Sequence, residues 1–80
     1  MGDARAAALA LLGQRAAGAT ICPSEVARAV AVDGAWRDSM PAVHSAVDDL
    51  VADGVINLSW KGQHLSKRSG PYRVRLRTNG

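Results

Sequence analysis

The stretch INLSWKGQHLSKRSGPYRVRL, residues 56–76, decides the fold because hydrophobic and polar residues alternate near both of its ends. Alternation with a period of two is typical of a half-buried strand, so we predict one strand over 56–60 and another over 72–77. A turn at 61–62 and a polar loop over 63–70 separate them. The stretch therefore predicts an antiparallel two-stranded hairpin.

The residues before the hairpin follow the helical period instead. We predict a first helix from Asp3 to about Ala17, a second from Pro23 to Val30, and a third from about Asp38 to Asp53. The β-prone residues 20–22 are long enough for one bridge. Three helices followed by a hairpin is the order of a winged helix-turn-helix, with the hairpin as the wing. We therefore predict the α+β class and a single domain over residues 1–80.

Length and composition exclude several protein classes. Eighty residues with 48% hydrophobic content form one small globular core whose stability is on the order of a few kcal/mol. The single cysteine excludes an internal disulfide and favours a cytoplasmic location. No hydrophobic run approaches the roughly 20 residues that span a membrane. The apolar run 6–12 resembles a signal peptide only loosely, and we interpret it as part of the first helix.

Charge is divided unevenly along the chain. Residues 1–56 carry four arginines and seven carboxylates, a net charge of −3, whereas residues 57–80 carry six basic residues, no acidic one, and a charge of +6. The six are Lys61, Lys67, Arg68, Arg73, Arg75 and Arg77. A concentrated basic region on a small domain favours a polyanionic partner, and we expect double-stranded DNA.

The predicted wing is the main candidate for DNA contact. Arg73, Arg75 and Arg77 alternate along one strand, which places them about 7 Å apart on one face, a spacing suited to successive phosphates. Lys67 and Arg68 lie in the loop that would reach a minor groove. The alternative interpretation is that these arginines only solvate a sheet edge and prevent aggregation.

The third helix limits this hypothesis. Its predicted exposed face carries Asp48, Asp49 and Asp53, which would repel a phosphate backbone. Any base contacts would come from the start of this helix, where the polar residues are Arg37, Ser39, His44 and Ser45. We therefore expect weak sequence specificity. The three carboxylates could instead pair with wing arginines, within the chain or across a dimer.

A competing hypothesis is a protein-interaction module without nucleic-acid binding. Residues Ala8, Leu9, Leu11 and Leu12 cover an arc of roughly 160° on the first helix, wider than one buried face needs. Either the alanines of this helix are indifferent to burial, or the excess marks a homodimer through this helix. Trp36 and Trp60 could stack on bases, but their positions favour packing in the core.

We expect no enzyme activity, metal or cofactor. Cys22 and His44 could form a nucleophile and base, yet no third orienting residue or oxyanion arrangement is identifiable. One cysteine and two isolated histidines match no metal-ligand spacing. Cys22 is interpreted as the residue that precedes and caps the second helix.

Three segments together resemble a known family. They are CPSEVARAV over 22–30, the Trp36–Arg37 pair followed by Met40–Pro41, and KG at 61–62 with GPYRVRL at 70–76. From Thr20 onward the chain is similar to a family of short bacterial proteins catalogued as a domain of unknown function. The resemblance implies a winged-helix fold and no established activity.

Overall fold

A computed structural model of the protein describes residues 4–16, 18–31 and 34–77. In chain order the elements are α1 (Ala4–Gly13), α2 (Pro23–Val30), a 3-10 helix (Trp36–Ser39), α3 (Met40–Ala52), β1 (Ile56–Trp60), β2 (Gln63–Leu65) and β3 (Arg73–Leu76). The predicted α+β class is confirmed. Three helices followed by an antiparallel sheet give a winged-helix-like architecture.

The sheet has one strand more than the predicted hairpin. Its order is β2-β1-β3, with β1 antiparallel to both neighbours. Residues 63–65, predicted as loop, form β2 because Lys61 and Gly62 both have positive φ, 52° and 80°. A two-residue turn of this kind matches the twist of the flanking strands, so the chain returns immediately along β1.

A single bridge joins the start of α2 to the sheet, as the short β-prone segment predicts. The N–H of Ile21 donates to the carbonyl of Val74 at 2.8 Å, and the N–H of Val74 donates to the carbonyl of Ile21 at 2.9 Å. Both side chains are fully buried. The bridge therefore holds α2 against β3.

Two helix boundaries differ from the predictions. Helix α1 ends at Gly13, earlier than the predicted Ala17, which lies outside the described residues, because glycine is a poor helix former. A 3-10 helix precedes α3 because the ring of Pro41 clashes with an α-helical carbonyl at Arg37. The N–H of Met40 donates to that carbonyl in the tighter 3-10 pattern instead.

All three helices and the sheet contribute to one aliphatic core. Its largest fully buried side chains are Ile21, Val26, Val43, Val47, Leu50, Ile56, Leu58 and Val74. Leu9 is 37% exposed, so the buried face of α1 is narrower than the sequence suggests. None of the helices in the described part of the chain is sufficiently long and apolar to cross a membrane.

The two tryptophans differ in burial. Trp36 is half-buried and packs against the core, as predicted. The prediction of core packing is wrong for Trp60, which is 37% exposed. Trp60 is the last residue of β1. It lies one position beyond Ser59, the final residue of β1 that pairs with β3, so it extends past the part of β1 that β3 flanks.

Candidate nucleic-acid interface

The outer face of the sheet collects polar and basic side chains from all three strands. Ser59 of β1 pairs with His64 of β2 on one side and with Arg73 of β3 on the other. Asn57 pairs with Arg75 one row away. Because side chains of paired residues emerge on the same face, these five lie opposite the core-facing Ile and Val residues.

A groove runs across this face, and we call it the sheet groove. It is lined by Thr20, Leu58, Ser59, Lys61, Gly62, His64, Arg73 and Arg75. The lining contains three permanent cations and a histidine, and no carboxylate. The sheet groove is therefore a positively charged surface.

Arg73 is held in place at the wall of the groove. Its Nε–H donates to Oγ1 of Thr20 at 2.7 Å, and its Nη2 donates to the Thr20 carbonyl at 3.4 Å. A guanidinium has five N–H donors, so this contact leaves others available for a ligand. The side chain is half-buried and pre-oriented, whereas Arg75 is exposed.

Arg77 does not lie on one face with Arg73 and Arg75, although the alternation predicts that it would. Its backbone N–H donates to the Val55 carbonyl at 2.9 Å, beyond the end of β3. Its guanidinium lies beside Gly54, and the side chain lines a different pocket together with Leu12 and Arg15. Only Arg73 and Arg75 of the three line the sheet groove.

The loop between β2 and β3, residues 66–72, lies against α3, and we call it the wing loop. Arg68 makes a two-bond ion pair with Asp48, with Nε to Oδ1 at 3.0 Å and Nη2 to Oδ2 at 3.1 Å. Hydrogen bonding to Arg68 lowers the pKa of Asp48, and the same bond raises the pKa of Arg68. Lys67 lines a pocket with the same two residues. The alternative in which an α3 carboxylate pairs with a wing arginine within the chain is thus confirmed for Asp48.

One turn earlier on α3, His44 contacts the residue before β3. Its Nδ1 shares a 2.7 Å hydrogen bond with the Tyr72 hydroxyl. Burial and the charge of Arg68 lower the pKa of His44, partly opposed by Asp48. Burial raises the pKa of Tyr72 to about 12. His44, predicted as a base-contacting residue, is therefore engaged inside the protein.

The acidic face of α3 is partly neutralised by the chain itself. Asp53 forms an ion pair with Arg5 of α1, with Nη2 to Oδ2 at 3.2 Å, in addition to the ion pair between Asp48 and Arg68. Asp49 is exposed. Since two of the three carboxylates face an arginine, α3 repels phosphates less than the sequence suggests.

The remaining predicted residues lie around the start of α3. Ser39 is half-buried and immediately precedes the helix, and Ser45 is exposed. The Arg37 guanidinium stacks on the Trp36 ring, with Cζ 4.5 Å from the ring centroid, and Arg28 of α2 does the same at 4.6 Å. Arg28 is not among the residues predicted to contact DNA. One signal in the sequence pointed to it. Arg28 is a basic residue on the exposed face of α2, and the Trp36–Arg37 pair follows soon after this helix ends.

Cys22 directly precedes α2 and contacts two residues of its first turn. Its N–H donates to Oε2 of Glu25 at 2.9 Å, and its Sγ lies 3.1 Å from Oγ of Ser24. Across residues 4–16, 18–31 and 34–77 no three histidine, cysteine or carboxylate side chains are grouped so that they could hold a metal ion.

The chain belongs to the family described as Protein of unknown function (DUF3253), whose model matches residues 2–77. This match confirms the resemblance to a domain of unknown function. No curated protein matches the chain.

Proposed function

We propose that this member of the DUF3253 family binds double-stranded DNA in the cytoplasm through the sheet groove, with weak sequence specificity. The observation that carries the proposal is the lining of the groove, which contains Lys61, Arg73 and Arg75 together with His64 and no carboxylate. Such a surface attracts the phosphate backbone, which supplies most of the affinity in sequence-independent binding.

The chemistry of the lining suits phosphate oxygens. Each guanidinium presents a planar set of donors that matches two phosphate oxygens at once. Arg73 is already oriented by Thr20, so less side-chain freedom is lost when it binds. Lys61, at the tip of the turn, adds a charge that is not confined to one geometry.

Weak specificity follows from the state of α3. Reading bases requires free donors and acceptors on the helix that enters the major groove. His44 and Asp48 are both occupied by wing residues, which leaves Arg37, Ser39 and Ser45 as the polar residues near the start of the helix. Backbone contacts therefore dominate the proposed complex.

The proposal is tested by fluorescence anisotropy with a labelled random-sequence duplex at several salt concentrations. We expect R73A and R75A each to weaken binding to all sequences and to flatten the slope of log K against log salt by about 0.9 per lost phosphate contact. Arg15→Ala is the matched control, because Arg15 is an exposed arginine outside the groove. Equal losses in all three variants would contradict a groove-specific contact.

A protein-interaction module remains the second candidate, and the exposed Leu9 on α1 favours it. In that case the chain would bind duplex no more tightly than an unrelated protein of equal charge. Homodimerisation through α1 would appear in sedimentation equilibrium as a dimer that Leu9→Glu dissociates. A monomer at all concentrations would exclude that interface.

A further inference from the structure

We infer that Arg28, Trp36 and Arg37 form a second position that binds a phosphate group, apart from the sheet groove. We call these three residues the Arg–Trp–Arg cluster. Both guanidinium groups stack on the same indole, with Cζ atoms 4.6 and 4.5 Å from the ring centroid. The two guanidinium carbons therefore lie no more than about 9 Å apart.

The indole fixes both cations in place. Trp36 is half-buried and packs against the core, whereas Arg28 and Arg37 are exposed. Attraction between a guanidinium and the negative face of the ring favours these positions of the two side chains. Two long side chains are thus positioned around one ring, with their guanidinium carbons within about 9 Å of each other.

Stacking leaves the hydrogen-bonding edges of both groups available. A guanidinium that lies over a ring uses its face, and its N–H donors point outward in its own plane. Within the described residues neither guanidinium lies within 4.0 Å of a carboxylate, and neither guanidinium donates a hydrogen bond to another residue. The donors therefore remain for an outside acceptor.

A phosphate is the ligand that this arrangement fits. Two like charges within about 9 Å repel each other, and an anion at the edge of the ring that contacts both guanidinium groups offsets the repulsion. Phosphate offers the several acceptor oxygens and the charge that two guanidinium groups satisfy. Arg28 lies on α2 and Arg37 precedes α3, so the cluster joins the two helices of the helix-turn-helix pair. Its assignment to a DNA phosphate, as opposed to a free one, rests on the proposed function.

The test follows the two indole N–H signals of ¹⁵N-labelled protein by NMR, with Trp60→Phe to assign them. Inorganic phosphate is added against chloride at constant ionic strength. We expect the Trp36 signal to shift along a saturating curve. The Trp60 signal reports the sheet groove separately, because Trp60 lies between Ser59 and Lys61 of its lining. Arg28→Ala and Arg37→Ala should each abolish the shift, and Arg15→Ala should leave it intact.

An equal response of the Trp36 signal to chloride, or an undiminished response to phosphate in Arg28→Ala or Arg37→Ala, would overturn the site. A second titration adds a short duplex to the variant that lacks Arg73 and Arg75. A Trp36 shift there supports contact with the DNA backbone even if the sheet groove proves irrelevant to binding. A response to inorganic phosphate without a response to duplex supports the site and overturns DNA as the source of the phosphate.

Discussion

At the residue scale, Tyr72 both fills part of the core and contacts α3. Its ring is buried at 4% exposure, as the alternation in the last strand predicts, while its hydroxyl reaches His44 on α3. The hydroxyl therefore escapes the cost of an unpaired buried polar group. The same burial opposes ionisation of the phenol, because a phenolate would lose its hydration.

We predict that the pKa of Tyr72 is about 12 in the folded protein, well above the ordinary value of 10.0 for a tyrosine phenol. The chain has one tyrosine, so absorbance at the tyrosinate band during an alkaline titration reports this residue alone. Since the folded pKa is raised, its contribution to stability is complete below pH 10 and is lost as the pH rises through about 12. Protein unfolded in denaturant provides the reference. Folded protein that titrates at the same pH as this reference would contradict the prediction.

At the scale of elements, the turn between β1 and β2 contains a strained residue. Lys61 has φ 52°, a conformation that costs a side chain other than glycine or asparagine roughly 1 kcal/mol. Lys61 also lines the sheet groove. The strain is consistent with a position kept for its charge at the expense of stability.

We predict that Lys61→Asn stabilises the protein by about 0.5–1 kcal/mol, because asparagine before glycine favours this turn. The same substitution should weaken duplex binding, since it removes a cation from the groove. Denaturant unfolding and anisotropy measure the two effects. Lys67→Asn is the control, since it removes the same charge from the loop beside α3. A stability gain as large in the control would show that charge, and not the turn, is responsible.

For the whole molecule, stability depends on a small aliphatic core. Leu50 of α3 is fully buried, and the domain buries few side chains of that size. A domain of this length has on the order of 5 kcal/mol of stability to lose. Single core residues therefore decide whether the chain folds.

We predict that Leu50→Ala lowers the free energy of unfolding by about 2–5 kcal/mol and leaves much of the protein unfolded near 25 °C. Leu76→Ala, at a 36% exposed position of β3, removes the same atoms and should cost clearly less. Circular dichroism during urea unfolding compares the two variants. Similar losses would mean that the core is not centred on α3.

Much of the fold is predictable because the hydrophobic period and the residues that mark helix starts agree along the chain. The change from helical to strand period near Val55 predicts β1 and β3, and the Pro23–Glu25 pattern predicts the start of α2. Strand β2 was missed because its turn uses lysine where asparagine usually marks the positive φ. The predicted end of α1 near Ala17 is too late because it rests on Gly18 as the stop signal, whereas the helix already ends at Gly13.

The candidate site is predictable in charge and not in geometry. The absence of acidic residues after Ile56 predicts a basic sheet, yet nothing in the sequence separates Arg73, which lines the groove, from Arg77, which does not. The Arg68–Asp48 pair joins residues 20 positions apart, so it depends on how the wing loop packs against α3. Arg28 was missed for the same reason, because its neighbour Trp36 is close only after folding.

The bridge between Ile21 and Val74 also has a consequence for the timing of folding. It joins positions 53 residues apart, and closing so long a loop is slow compared with forming a helix. The three helices can form from local contacts, but the hydrophobic surface of Ile21 stays open to water until β3 arrives. A state in which the helices have formed and β3 has not yet paired would expose Ile21, and such a state would be prone to aggregation.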